Sequence, residues 1–497
     1  MKNARIFTEK INWQLVLLAV ATGAFYIYLA AQIPYTHDDW DWGLSNGWEQ
    51  LLTANINSRY SGNFLEVLMT RSGVFKTLFM GLSFCALPLI LAVFAAKEKT
   101  QIVPIAIAAN ILLLMMPQAI WQQTYGWVAG FANFVTSALW VGIFFCLSKG
   151  LFEKDAQAPQ GALKAAAVMI FCVSMQLFAE NITVFMLGVS VVFWIGAVVK
   201  WRKVSAYYTA MLLGCAIGAG IMFSSSMYDT LLSTGQAVEG YRELTFDRNT
   251  GLSVIVRGFL VRFFTGFFPG VYGYYDGVYC VIIGVLTVLL IIKSEKMLIP
   301  KLFSGAFVGF STAVLAAVYY LPTFGVQMSL SATAAVNVLF FASIFAAIIL
   351  AFWQDKLKLF KMSGIWLAAP LVMVPLVVIN TVGERSFLMP LVFLIMFICA
   401  LLAELNIRKS IVLSVILLVP LFYWGYIYTD IGATGRERMQ IIAEAIDTNA
   451  VEITLPKFPH EEYLWEPDPK SEYRKKYFRL FYGLNEDVEI NLGEGGM

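Results

Sequence analysis

The chain has 497 residues, 59% of them hydrophobic and 14% charged, with a net charge of +2 and a mean hydropathy of +0.71. A water-soluble fold of this length cannot cover so much apolar surface, which excludes a soluble globular enzyme and points to a polytopic membrane protein. The near-neutral charge gives no basis for nucleic-acid binding, and the six cysteines lie inside apolar runs with no C-x-x-C pair, which argues against a disulfide framework or a thiolate metal site.

The apolar runs are about 20 residues long, the length of a bilayer-crossing helix, and lack the alternation of membrane-barrel strands. In chain order, hydropathy predicts about thirteen spans, near 12–33, 74–95, 102–118, 130–148, 163–179, 182–199, 204–223, 272–292, 302–321, 332–353, 364–381, 387–404 and 410–428. Lys2, Arg5 and Lys10 precede a first run too long for a cleaved signal, so a signal-anchor helix is expected. Lys97/Lys99, Lys149/Lys154/Lys164, Lys200/Arg202/Lys203, Lys293/Lys296/Lys301, Lys356/Lys358/Lys361 and Arg408/Lys409 fall on the side of the N-terminus, which the positive-inside rule makes cytoplasmic. The expected architecture is an all-α polytopic membrane domain, 1–428, with outer segments 34–73 and 224–271. A small extracytoplasmic α/β domain, 429–497, follows it.

The first outer segment opens on Thr36-His37-Asp38-Asp39-Trp40-Asp41-Trp42. From Ser45 it reads as an amphipathic interfacial helix with Trp48, Leu51 and Leu52 on one face. The second carries a polar stretch from Tyr228 to Thr250, then an apolar helix bearing Arg257 and Arg262. In the tail, Arg436 to Thr448 has helical spacing and Val451 to Leu455 alternates like a strand. Ser471 is placed to cap a helix that Gly483 stops after Tyr482, and Val488 to Leu492 reads as a last strand. Such a unit is marginal alone and is expected to dock on the membrane part.

Asp38, Asp39 and Asp41 stand where a membrane span ends. A partly desolvated carboxylate there suits a general base; solvated loop acids, one of them capping the next helix, would look the same. In an extended segment neighbouring side chains point apart, so Asp38 and Asp39 are not expected to face one site together. Arg59, Arg257, Arg262 and Arg385 are candidates for a phosphate, which guanidinium forks match, or else for headgroup snorkelling and pairing with Glu66, Glu239 or Glu384. Arg385 lies in Thr381-Val382-Gly383-Glu384-Arg385-Ser386, a short loop between spans. Glu180 and Asn181 interrupt an apolar stretch near membrane depth, where polar groups need partners. Trp127, in an aromatic and amide-rich loop with Trp121 and Tyr125, suits carbohydrate stacking as well as an aromatic belt. There is no Walker loop, no H-E-x-x-H and no G-x-S-x-G, and His37 and His460 are the only histidines, so a multi-histidine metal site is excluded.

Thr36-His37-Asp38-Asp39-Trp40 resembles the first-loop acidic motif of the GT-C superfamily of membrane glycosyltransferases. Arg59-Tyr60-Ser61-Gly62-Asn63-Phe64-Leu65, Gly126-Trp127-Val128-Ala129-Gly130-Phe131-Ala132-Asn133-Phe134, Phe178-Ala179-Glu180-Asn181 and Glu384-Arg385-Ser386-Phe387 are similar to loops of a bacterial branch. That branch decorates surface polysaccharide or teichoic acid. The resemblance implies an inverting transfer of a sugar from a polyprenyl-phosphate donor to a surface glycopolymer, at the outer face of a bacterial plasma membrane. It implies Asp38 as the base, Asp39 as second choice, and Arg59, Arg257, Arg262 and Arg385 on the donor phosphate. His37, Asp41, Asn63, Trp127, Glu180, Asn181 and Glu384 would bind substrate. The acids here stand as Asp-Asp, although Asp39-Trp40-Asp41 has the spaced form. A divalent cation (Mg or Mn) at Asp39 and Asp41 is therefore compatible with the motif but not required by a monophosphate carrier. Two other readings remain: a polysaccharide polymerase or ligase using pyrophosphate-linked chains, and a lipid-linked sugar flippase. Transporters favour inverted repeats with midplane charges, and no such repeat is visible.

Overall fold

The computed structural model describes residues 12–493 other than 55, 238–241, 247–249, 295–297, 326–327 and 381. Lys2, Arg5, Lys10, Glu239, Lys296 and Thr381, named above, lie outside the described residues. The protein is an all-α polytopic bundle, as composition requires. Among the described residues ten helices are long and apolar enough to cross a membrane, or eleven with the bent pair Ala206–Met222 and Ser226–Thr234; three shorter apolar helices accompany them, Lys99–Leu114, Ala162–Met175 and Gly277–Lys293. Each expected span overlaps one of these helices, but three overlap only the shorter ones, so the helices long enough to cross number ten or eleven rather than thirteen. In lipid the backbone must satisfy its own hydrogen bonds, which is why the apolar runs close into helices.

One long helix was not expected as such. Leu252–Gly273, read above as part of an outer segment, is a 22-residue helix apolar enough to cross. Arg262 donates to the Ile379 carbonyl at 2.5 Å, and Gly270 packs on the Phe387 ring. This part of the helix is buried, with Phe268 and Tyr272 against Phe341 and Tyr272 also against Trp366. Its first half buries no residue, leaving Leu252, Val254 and Val256 exposed, as in an interfacial helix.

The centre is Glu384–Glu404, 89% buried, which packs against Gly73–Ala95, Lys99–Leu114, Gly277–Lys293 and the helix beginning at Lys356. Trp366, stacked near Phe341, Phe340 and Phe397, fills the space beside it. At one end of the bundle basic side chains close helix termini. Lys149 Nζ lies 2.8 Å from the Ala96 carbonyl and Lys361 Nζ 3.1 Å from that of Phe94. Lys293 Nζ lies 2.9 Å from the Leu405 carbonyl, and Lys97 pairs with Glu404 at 3.1 Å. The acid motif is at the other end.

The last span does not stop at 428. Ile411–Thr448 is one helix of 38 residues, so the helix expected from Arg436 is its continuation. Beyond it, Glu452–Leu455 pairs in parallel with Glu489–Leu492. Ser471 caps Glu472–Tyr482, and Gly483, at φ 76°, ends it as its sequence suggests. The small core of this C-terminal cap holds Ile442, Ile453, Leu455, Phe478 and Ile490, together with Trp40 from the acid motif. Arg438 and Asp468 form a buried 2.6 Å ion pair beneath it.

Candidate functional site

The acid motif folds into a tight turn. His37 takes a left-handed φ of 54°, Asp38 is helical, and Asp39–Trp42 forms a single helical turn. This corrects the expectation that Asp38 and Asp39 diverge. In a helical turn, unlike an extended strand, neighbouring carboxylates can reach a common point. Their oxygens and one of Glu66, from the helix Tyr60–Arg71, all lie within 4.8 Å of one another. Asp41 is not part of this group: it faces the Tyr473 hydroxyl at 3.4 Å. The acids able to share a divalent cation are thus Asp38, Asp39 and Glu66, rather than the Asp39 and Asp41 pair read from spacing.

The four acids are held differently. Asp39 is fully buried and accepts the backbone N–H groups of Thr36 and Ala129 at 2.9 and 3.0 Å. Burial and the Asp38 charge still push its carboxyl well above the usual range, with Lys76 opposing them. Glu66 is buried, its Oε1 has no hydrogen-bond partner among the described residues, and burial plus the three aspartates push it up strongly. Asp41 is pushed up to about 6 by burial and Asp38. Asp38 is the accessible one, its side chain 27% exposed. Burial opposes its charge, but His37, Arg474 and the Trp127 Nε1–H, 2.9 Å away, together hold its carboxyl below the usual range.

Trp127 leads from the acids to a second group. Arg385 lies 5.6 Å from its ring centroid, and Arg385 and Arg59 both lie 5.8 Å from that of Phe134. Phe134 belongs to a π-helical turn, Phe131–Val135, a distortion that recurs at functional sites. Arg59, Arg385, Glu180, Asn181 and Tyr228 line a cavity of about 550 Å³. Arg59 makes a forked pair with Glu180, at 2.7 and 3.1 Å on Oε2, and Tyr228 donates to the same carboxylate at 2.9 Å. Glu384 sits beside the cavity, bonded to Gln123, whose Oε1 also receives Arg385 at 3.4 Å.

The other candidates are held as follows. Arg257 is exposed and outside the cavity lining. Arg262 is held at the rim by Thr245, Asn380 and the Ile379 carbonyl. Asn63 donates to Asn57 at 2.9 Å, and Asn181 to the Val372 carbonyl at 3.3 Å. Glu66 was weighed in the sequence only as an arginine partner. The available signal was a carboxylate isolated between Leu65 and Val67. Arg474, Glu466 and Trp465, which surround His37, carried no signal at all. Comparisons with protein families, with characterised proteins and with solved structures give no match.

Proposed function

We propose that the chain is an inverting glycosyltransferase that moves a sugar from a polyprenyl-phosphate carrier to a cell-surface glycopolymer. The observation that carries this reading is a reachable carboxylate, Asp38, joined through Trp127 to a cavity lined by Arg59 and Arg385. The acceptor oxygen attacks the anomeric carbon as its proton passes to Asp38. The bond from that carbon to the carrier oxygen breaks, and the phosphate leaves with an added negative charge. Asp38 is the better base because it is ionised and accessible, whereas Asp39 is enclosed with both oxygens committed. The guanidinium groups stabilise the departing phosphate in a low-dielectric place. A divalent cation, if used, would be held by Asp38, Asp39 and Glu66 and would add positive charge there.

With the lysine-rich end in the cytoplasm by the positive-inside rule, the acid motif and the C-terminal cap, at the opposite end of the bundle, face outward from a bacterial plasma membrane in this reading. The cap receives the polymer acceptor. The test is transfer in proteoliposomes from radiolabelled polyprenyl-phosphate sugars to cell-wall polymer, with and without chelator. Label on polymer, lost in Asp38→Asn, is expected. Unchanged transfer in that variant would sink the assignment. Labelled lipid crossing the bilayer without transfer would favour a flippase, and use of pyrophosphate-linked chains alone a polymerase or ligase.

A further inference from the structure

A second cavity opens where the first and last spans end and the cap begins. It measures about 520 Å³ and shares no lining residue with the one holding Arg59 and Arg385. Three helices and the cap build it. The end of Trp13–Gln32 supplies Gln32, the start of Gly73–Ala95 supplies Lys76, and Ile411–Thr448 supplies the face from Gly432 to Ile442. The cap adds Phe458, Phe478 and Tyr482. Gly432 sets how close the first and last helices come: a Cβ there would lie 1.8 Å from Gln32 Oε1. Arg436 donates to that same oxygen at 2.9 Å, and the Tyr28 and Thr429 hydroxyls meet at 2.6 Å. At Gly435 the opposite holds. A Cβ there would meet Phe458 alone, at 3.8 Å, so the helix is bare beside open space.

The walls carry positive charge in an apolar frame. Lys76, Arg436 and Arg438 line the cavity, and among the described residues no carboxylate does. Asp468 offsets Arg438 through their buried pair, and Asp39, which feels Lys76, is outside the lining. Lys76 Nζ donates to the Ile33 carbonyl, and an ammonium has two further N–H groups. Arg436 is exposed and has guanidinium donors beyond the one given to Gln32. Cations set in an apolar pocket suit a phosphate joined to an apolar body rather than a bare anion. The surface of the last helix shows what that body is. Leu418, Phe422, Thr429 and Arg436 share one face at helical spacing, and Leu418 and Phe422 are 49% and 75% exposed. An apolar stripe on a membrane span faces acyl chains, and this one leads to Arg436.

We propose that this cavity binds one anionic glycerophospholipid from the leaflet at the acid-motif end, its phosphate on Arg436 and Lys76 and an acyl chain along Phe422 and Leu418. The lipid touches the membrane part through Gln32 and Lys76 and the cap through Phe458 and Phe478, so it fastens one to the other. Phe478 also stands edge-on to Trp40 of the acid motif, with ring centroids 5.2 Å apart. A lipid seated here therefore steadies the cap where it meets that motif. The inference does not rest on the sugar-transfer reading.

The test uses the full chain in detergent, with dioleoyl phosphatidylglycerol, dioleoyl phosphatidylcholine, a polyprenyl phosphate and inorganic phosphate as probes. Binding is read from the thermal unfolding midpoint and from photocrosslinking by a diazirine on the acyl chain. Phosphatidylglycerol should raise the midpoint, because a ligand of the folded state stabilises it, and should label the segment from Leu418 to Met439. Phosphatidylcholine, with the same tails but no net charge, should do neither at the same concentration. Arg436→Gln should weaken phosphatidylglycerol binding roughly tenfold, the scale of one lost hydrogen bond to a charged group. Gly435→Leu should abolish binding by filling the cavity, at a helical position where leucine is the better helix former. Equal binding of the two lipids, or phosphatidylglycerol binding unchanged by either substitution, overturns the proposal. If Gly435→Leu does not fold, Arg436→Gln alone decides. A midpoint shift reproduced by inorganic phosphate would make this a free-anion site. Displacement of phosphatidylglycerol by a lower concentration of polyprenyl phosphate would make it a carrier site. Either result overturns the phospholipid assignment.

Discussion

At one end of the bundle, Lys149, Lys361 and Lys293 find backbone carbonyls and Lys97 finds Glu404; at the other, Asp38, Asp39 and Glu66 face one another. Both ends place charge at the edge of an apolar slab. A lysine on the last carbonyls of a helix satisfies orphan acceptors and the helix dipole, which is a structural task. Three carboxylates within 4.8 Å raise one another's proton affinity. Such an arrangement works against stability, and its retention is better explained by chemistry. Charge at a membrane edge is thus informative through its partners rather than its presence.

The contrast can be broken in several ways. The largest expected effect is from Asp38→Asn, which should lower transfer at least about 100-fold, the scale of a lost general base, with folding intact. Arg59→Met removes the fork on Glu180, and thermal unfolding in detergent should show a loss of about 2 kcal/mol, less than for a fully buried pair. Glu66→Gln should do the opposite, raising stability by about 1 kcal/mol through relief of like charge; a lower melting temperature would show that the cluster is not strained.

Asp41 gives the same argument a pH axis. Its carboxyl rises from 3.8 to about 6 on folding, so the folded state holds the proton more tightly. Its stabilising contribution is complete below 3.8 and fades as pH climbs through about 6. Asp41→Asn should flatten unfolding midpoints across that window. Trp127→Phe removes one donor to Asp38 and should cost about fivefold in rate, the worth of a single hydrogen bond near 1 kcal/mol. Lys361→Met, at the basic end, should change stability by about 0.5 kcal/mol and leave transfer untouched.

Hydropathy located the helices because lipid enforces a simple rule on the backbone. It assigned most of Leu252–Gly273 to an outer segment, because Arg257 and Arg262 interrupt a helix that is nevertheless apolar and long enough to cross. The motif containing Asp38 and Asp39 was legible as a clustering of acids after a span. That both acids meet Glu66 was not, because the meeting depends on a left-handed His37 and on packing against the helix Tyr60–Arg71. The link from His37 to Arg474 spans 437 positions, and no local pattern records it. The tail's capped helix and two short strands were readable, but not that Trp40 would complete their core.

The helix Ile411–Thr448 has a further consequence. At about 1.5 Å per residue its 38 residues form a rod of about 57 Å, with one end among the spans and the other inside the cap. A rod has an angular phase. One residue inserted after Thr429 would turn everything beyond it by about 100°, swinging Arg474 away from His37. Seven inserted residues, close to two full turns, would restore the bearing but lift the cap by about 10 Å. The site is therefore keyed to the helical register of its own last span, as a key's bit is set by the length and rotation of its shank.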